Sequence, residues 1–169
     1  TFRTVAGNRH PTAAYLARGT GHDEEARYTE EAIPWEDHLN RLKRKYDTAR
    51  SLVPKPIIQK MAGATIGILT YGSSTPAVQE ARVLLKQEDG LKTDFLRLRA
   101  LPSTAQVQTF LEKHEYTYIV EANRDGQLRQ ILSATLPDQA GKLRSACHAD
   151  GLPLTAKWVM NAILAQEKK

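Results

Sequence analysis

Cysteine occurs once in this chain of 169 residues, at Cys147. A single thiol excludes an internal disulfide, a four-cysteine zinc site and an iron–sulfur cluster held by this chain alone. Its ordinary role is that of a small buried side chain. No apolar stretch approaches the ~20 residues of a transmembrane helix, and no charged-then-apolar signal segment opens the chain. These two absences give a cytoplasmic expectation with no membrane partner. Thr1 is not an initiator methionine, and sequence upstream of it is expected. Aromatic residues make up only 7% of the chain, and no run of them alternates with its basic cluster, so a base-stacking platform for nucleic acid is lacking. Large apolar side chains are scarce across roughly the first thirty residues. That front reads as a strap or linker ordered against something else.

What is present is a rhythm. Hydrophobic and charged fractions of 41% and 25% are those of an ordinary globular protein, long enough for one domain burying about two-thirds of its unfolded surface. From Ala64 onward, four short apolar runs alternate with four helical patterns. The runs are Ala64–Tyr71, Phe95–Leu101, Thr117–Glu121 and Leu143–Cys147. Strands alternating with helices at this spacing imply parallel pairing through right-handed crossovers. The predicted fold class is α/β, three-layer α/β/α with a mostly parallel sheet. In the second run, Leu96 and Leu98 alternate with Arg97 and Arg99, the pattern of an edge with one poorly covered face. Ser103-Thr-Ala-Gln106 is a capping box, predicted to satisfy free helix N–H groups from both ends. Thr155 is predicted to cap the last helix.

Ahead of this repeat, Phe2–Val5 reads as a strand or extended lead-in, and Gly7–Glu30 mostly as loop. A helix is predicted from Pro34, with Glu36 and Asp37 at its positive end and Pro54 and Pro56 stopping it. Its apolar stripe is Trp35, Leu39, Leu42, Tyr46, Ala49, Leu52 and Val53, which is expected to lie on the domain or on a partner. The predicted organisation is therefore a strap over 1–33, an amphipathic helix and connection over 34–62, and an α/β domain over 63–169. The net charge of +5 is concentrated between Arg41 and Lys60. Such a cluster can attract an acidic partner, or can be a solvated helix face.

Three segments carry candidate chemistry. Tyr71-Gly-Ser-Ser-Thr-Pro76 joins a strand to a helix, so the turn Gly72, Ser73, Ser74 and Thr75 is a candidate anion cradle or simply a tight connection. Pro76 removes one donor, and the lysine of a nucleotide-binding P-loop is absent. His22, Asp23 and Glu24 combine imidazole and carboxylate on the strap, with His10, Arg18 and Arg27 nearby. They form a candidate loop bordering a site built elsewhere. Glu121 closes the third run, where open parallel sheets place ligands, and equally could accept hydrogen bonds from a neighbouring turn. Ser73, Ser74, His114 and His148 define no nucleophile–base set.

Taken in order, these blocks resemble the carboxy-terminal part of the alpha subunit of 2-oxoacid:ferredoxin oxidoreductases, particularly the 2-oxoglutarate type. Arg18-Gly-Thr-Gly-His-Asp-Glu24 is similar to that family's linker, and the basic helix up to Val53-Pro-Lys-Pro56 to the segment following it. Gly67-Ile-Leu-Thr-Tyr-Gly-Ser73, Val120-Glu-Ala-Asn-Arg-Asp-Gly-Gln-Leu128 and Gly151-Leu-Pro-Leu-Thr155 resemble parts of a transketolase carboxy-terminal-like domain. The resemblance implies an enzyme complex that uses thiamine diphosphate, magnesium and an iron–sulfur cluster. Such enzymes decarboxylate a 2-oxoacid oxidatively, passing electrons to ferredoxin and the acyl group to coenzyme A. It implies no cofactor bound by this chain alone. The partners implied are the remaining alpha-subunit domains and the beta subunit, with ferredoxin and coenzyme A serving the full complex. It also implies a role in structure and assembly, without sufficiency for catalysis. The alternatives read from the residues are a small flavodoxin-like flavin- or nucleotide-binding protein and a basic adaptor for acidic partners.

Overall fold

The computed structural model describes residues 5–11, 13–14 and 21–167. Most of Phe2–Val5, together with Arg18, Gly19 and Thr20, lies outside the described residues. The chain divides into two compact units, Thr1–Thr48 and Ala49–Lys169.

In the first unit a short loop closes on itself before the first helix, α1 (Ala32–Leu52). His22 bridges Tyr28 in antiparallel fashion, and the Thr29 N–H donates to the Gly21 carbonyl at 3.1 Å. Gly21 is buried, and a side chain there would collide with the Trp35 ring. Helix α1 starts two residues ahead of Pro34, so Glu36 and Asp37 fall beyond its first turn, which carries no acidic residue. Pro54 and Pro56 follow its end, as expected. None of its residues is buried. Trp35, Leu39, Tyr46 and Leu52 are all exposed.

The second unit is a five-stranded sheet with helices on both faces. Its elements are β1 (Ile57–Gln59), β2 (Ile66–Tyr71), α2 (Thr75–Glu88), β3 (Thr93–Leu98), α3 (Ala105–Lys113), β4 (Tyr116–Glu121), α4 (Gln127–Thr135), β5 (Leu143–Cys147) and α5 (Ala156–Glu167). The spatial order is β1-β3-β2-β4-β5. All neighbours pair in parallel except β1, which runs antiparallel to β3. The expected three-layer α/β/α arrangement with a mostly parallel sheet is what forms.

Alternation along the strands sorts the core into two layers. Ile66 and Ile68 of β2, Phe95, Tyr118, Val120 and Ala146 pack with α2 and α5 through Val78, Ala81, Leu85, Val159 and Ile163. Leu69, Leu96, Leu98 and Ile119 face α3 and α4 through Val107, Phe110, Leu111, Leu128 and Leu132. Gly67 lets Phe110 approach the sheet, because an added Cβ would lie 2.7 Å from the Phe110 ring and 2.8 Å from the Thr117 hydroxyl.

Two expectations are corrected here. β3 is not an edge: β1 covers it on the side away from β2, and all of its residues but Arg97 are buried. The edge on that side is β1, a three-residue strand too short to give a periodic signal. The predicted capping box does not form either. Thr104, not Ser103, precedes α3, no side-chain cap bond is made, and the buried Thr104 hydroxyl has no hydrogen-bond partner. Thr155 does cap α5, accepting from the Trp158 N–H at 3.2 Å.

Buried polar groups tie the elements together. Arg82 on α2 donates to the Thr93 carbonyl at 2.7 Å and to Gln59 Oε1 at 3.0 Å, joining α2, β3 and β1. Asp94 accepts from the Met61 N–H at 2.7 Å. His114 Nε2 lies 3.2 Å from the same carboxylate but outside hydrogen-bond alignment.

Candidate functional site

In an open parallel sheet the strand ends that face the βα turns are the usual ligand position. Here the parallel strands run β3-β2-β4-β5, so the chain reverses its direction of growth between β2 and β4. Three segments converge there: the turn after β2, the loop after β3 and the turn between β4 and α4.

The turn after β2 is a 3-10 turn over Gly72–Ser74. Gly72 has φ +57°, a left-handed conformation that suits glycine. Thr75 directs both its N–H and its hydroxyl at the Gly72 carbonyl, the hydroxyl at 2.9 Å. Ser74 and Thr75 are buried, while Gly72 and Ser73 are exposed. Helix α2 starts at Thr75, with Pro76 in its first turn.

The turn after β4 is organised by a fully buried carboxylate. Glu121 accepts from the N–H groups of Leu128 and Arg129 at 2.7 and 3.0 Å and from the Asn123 amide at 2.8 Å. Helix amides left without intrahelical partners attract anions, and here a carboxylate from the preceding strand fills that position. Asn123 Oδ1 in turn accepts from the Gly126 and Gln127 N–H groups at 2.8 and 3.3 Å. Gly126 adopts φ +64°, and a Cβ there would sit 3.0 Å from the Ser145 hydroxyl. Of the two roles open to Glu121, the turn-bonding one is realised. Asn123 was missed as an organiser. Its signal was the Asn three residues ahead of a glycine that opens a helix.

Between these turns lies a cavity of about 430 Å³ lined by Tyr71, Gly72, Leu98, Arg99, Ala100, Leu101, Gln127, Leu128 and Ile131. Asn123 donates to the Tyr71 hydroxyl at 3.4 Å.

In the first unit, Asp23 Oδ1 accepts from the Glu25 and Arg27 N–H groups at 2.9 and 3.0 Å, shaping its own turn. His22 and Asp23 are half-buried and Glu24 is exposed. The His22 and His38 rings meet edge-on at 4.2 Å. Lost solvation, then the neighbouring His22 and Arg41, lower the His38 pKa. His114 is buried beside Asp94 and bonds the Phe110 carbonyl through Nδ1 at 2.6 Å. His148 pairs with Asp150 at 2.8 Å and packs on Trp158. Cys147 is half-buried, with its sulfur 3.0 Å from the Ser145 hydroxyl. Among the described residues no three His, Cys, Asp or Glu side chains gather as a metal site, so the donor set of a metal centre is not supplied by them. No helix among them is long and apolar enough to cross a membrane.

Comparison with solved structures gives a match over 95% of this chain. A 2-oxoglutarate:ferredoxin oxidoreductase from Magnetococcus marinus, with 2-oxoglutarate, coenzyme A and succinyl-CoA bound, superposes with a TM-score of 0.74 at 23% identity. The match covers 95% of this chain and 28% of that one. It is a match of fold. The alpha chain of a probable 2-oxoacid ferredoxin oxidoreductase from Thermoplasma acidophilum aligns at 20% identity and a TM-score of 0.43, over 68% of this chain and 98% of that one. No family model and no curated protein matches the sequence. The present chain thus spans a little over a quarter of the Magnetococcus chain.

Proposed function

We propose that this chain is the carboxy-terminal part of the alpha subunit of a 2-oxoacid:ferredoxin oxidoreductase, with 2-oxoglutarate as the substrate and a role in structure and subunit assembly. The observation that carries the reading is a fold likeness, covering 95% of this chain, to an enzyme of that activity. The chemistry of the α/β domain supports a supporting role. Glu121, a fully buried carboxylate at the strand ends, is engaged by two backbone N–H groups and by Asn123, the bonding of a group that organises its turn.

In this reading thiamine diphosphate, magnesium and the iron–sulfur cluster belong to other domains and subunits of a cytoplasmic complex. When bound there, they supply the decarboxylation and carry its two electrons to ferredoxin, while coenzyme A takes the acyl group. This chain packs against the rest of the alpha subunit and the beta subunit. His22, Asp23 and Glu24 border the active site of the assembled enzyme.

The test is reconstitution. The complete complex is expected to reduce ferredoxin in a manner dependent on 2-oxoglutarate and coenzyme A, and the 169-residue chain alone is expected to be inactive. Activity from the isolated chain, or an unchanged rate when this chain is omitted from the complex, refutes the reading.

A second reading is favoured by the strand order, whose reversal between β2 and β4 is the place where flavodoxin-like proteins hold a cofactor. There Gly72, Ser73, Ser74 and Thr75 would contact an anionic group. Flavin absorbance in the purified protein would support it, and its absence together with no saturable flavin binding would remove it.

A further inference from the structure

We propose that the cavity at the carboxyl ends of β2 and β3 binds a small organic monoanion with an aromatic or branched apolar body, its charge held by Arg99 and Tyr71. The inference does not depend on the enzyme reading above.

The size comes first. About 430 Å³ falls within the range of small-molecule sites, which are concave, mostly apolar and furnished with a few polar groups. The walls come from three elements that the fold fixes independently: the end of β2, the end of β3 with its following loop, and the first turns of α4. Leu98 and Leu128 form buried parts of the lining, while Tyr71, Leu101 and Ile131 remain 38%, 45% and 41% exposed. Those three side chains offer apolar surface that a ligand body would cover.

Elimination then assigns the charge. The α4 N-terminus borders the cavity, yet its N–H groups at Gln127, Leu128 and Arg129 already bond Asn123 or Glu121. It is therefore not the anion holder. Among the described residues, Arg99 is the one cation in the lining. Its guanidinium reaches only the Lys55 carbonyl, at 3.5 Å, and has no carboxylate partner among the described residues. The Tyr71 hydroxyl accepts from Asn123 and retains its own proton for donation. One guanidinium and one phenol suit a carboxylate, not a multiply charged phosphate, which needs several converging donors.

A peptide is disfavoured by topology. Both β2 and β3 lie inside the sheet, so neither offers an open ladder to a further strand.

The test uses the full chain labelled with nitrogen-15, titrated with 3-phenylpropionate, the neutral 3-phenylpropanol, and propionate. Saturable shifts are expected at Tyr71, Gly72, Leu98–Leu101 and Gln127–Ile131 with 3-phenylpropionate. The alcohol should bind about tenfold more weakly, for loss of the charge-assisted bond, and propionate should not saturate, for lack of an apolar body. Arg99→Gln should bring acid and alcohol to the same affinity. Ile131→Ala, at an exposed position, should weaken both without altering the fold elsewhere in the spectrum. Equal binding of acid and alcohol by the unaltered protein would overturn the charge assignment. Shifts scattered outside the lining, or no saturation at about 10 mM acid, would overturn the site. None of these outcomes bears on whether the chain assembles into an oxidoreductase.

Discussion

At the scale of the residue, Glu121 and Gly67 show how single positions fix the strand ends. The Glu121 carboxylate accepts from two α4 amides and one side-chain amide, all within 3.0 Å. Removing an acceptor from buried donors costs about 1–3 kcal/mol, because the donors lose water without gaining a partner. Glu121→Ala is therefore expected to lower unfolding free energy by about that amount in urea titration, with Glu121→Gln retaining part of it through its remaining oxygen. An Ala variant as stable as the parent would contradict the bonding role. Gly67→Ala is expected to be destabilising for a different reason. Its Cβ would overlap Phe110 and Thr117 on the α3 side, and overpacking of this kind costs about 1–3 kcal/mol. Thermal denaturation reads that loss directly.

At the scale of the element, the far ends of β4, β5 and α5 are joined by a polar network. Tyr116 and Tyr118 both donate to Glu167, at 2.7 and 2.5 Å, and Arg144 donates to the Tyr118 hydroxyl at 3.1 Å. The Arg144 guanidinium also lies 3.4 Å from the centre of the Tyr116 ring. Burial, then the bond to Glu167, raises the pKa of both phenols above the ordinary value. A raised pKa means the folded state holds protons that the unfolded chain releases. The corresponding stability is complete below the unfolded phenol value of about 10 and is lost as pH climbs from there towards the folded values. Urea titrations above about pH 10 are expected to show a steeper loss for the parent than for a Tyr116→Phe/Tyr118→Phe variant. Parallel profiles would refute this.

The edge strand β1 depends on a comparable tie. Arg82 holds Gln59 from α2, so Arg82→Met is expected to speed amide hydrogen exchange across Ile57–Gln59 while leaving β4 protected.

At the scale of the whole molecule, both apolar layers are built, among the described residues, from residues of the second unit. A chain beginning at Ala49 is expected to fold cooperatively, with a single thermal transition and the near-ultraviolet signal of a packed core. A non-cooperative melt would show that the first unit is needed for folding. The exposed apolar members of α1 are then surface available for the assembly proposed above, a role that the isolated second unit lacks.

The periodicity of the sequence by itself determined the four parallel strands, the helices between them and the three-layer class, because buried apolar runs and helical stripes are local patterns. Glycines at 72 and 126 marked the turns, since left-handed backbone is cheap only there. Tertiary structure alone decided the strand order, the short edge strand β1 and the place of β3 inside the sheet. Each depends on pairing between segments distant in the chain, and three residues carry no period. It also decided the fate of the charges. Glu121 became a helix partner, Arg82 a brace and Arg99 part of a cavity wall, because a charge takes its role from the donors and acceptors that folding brings within reach.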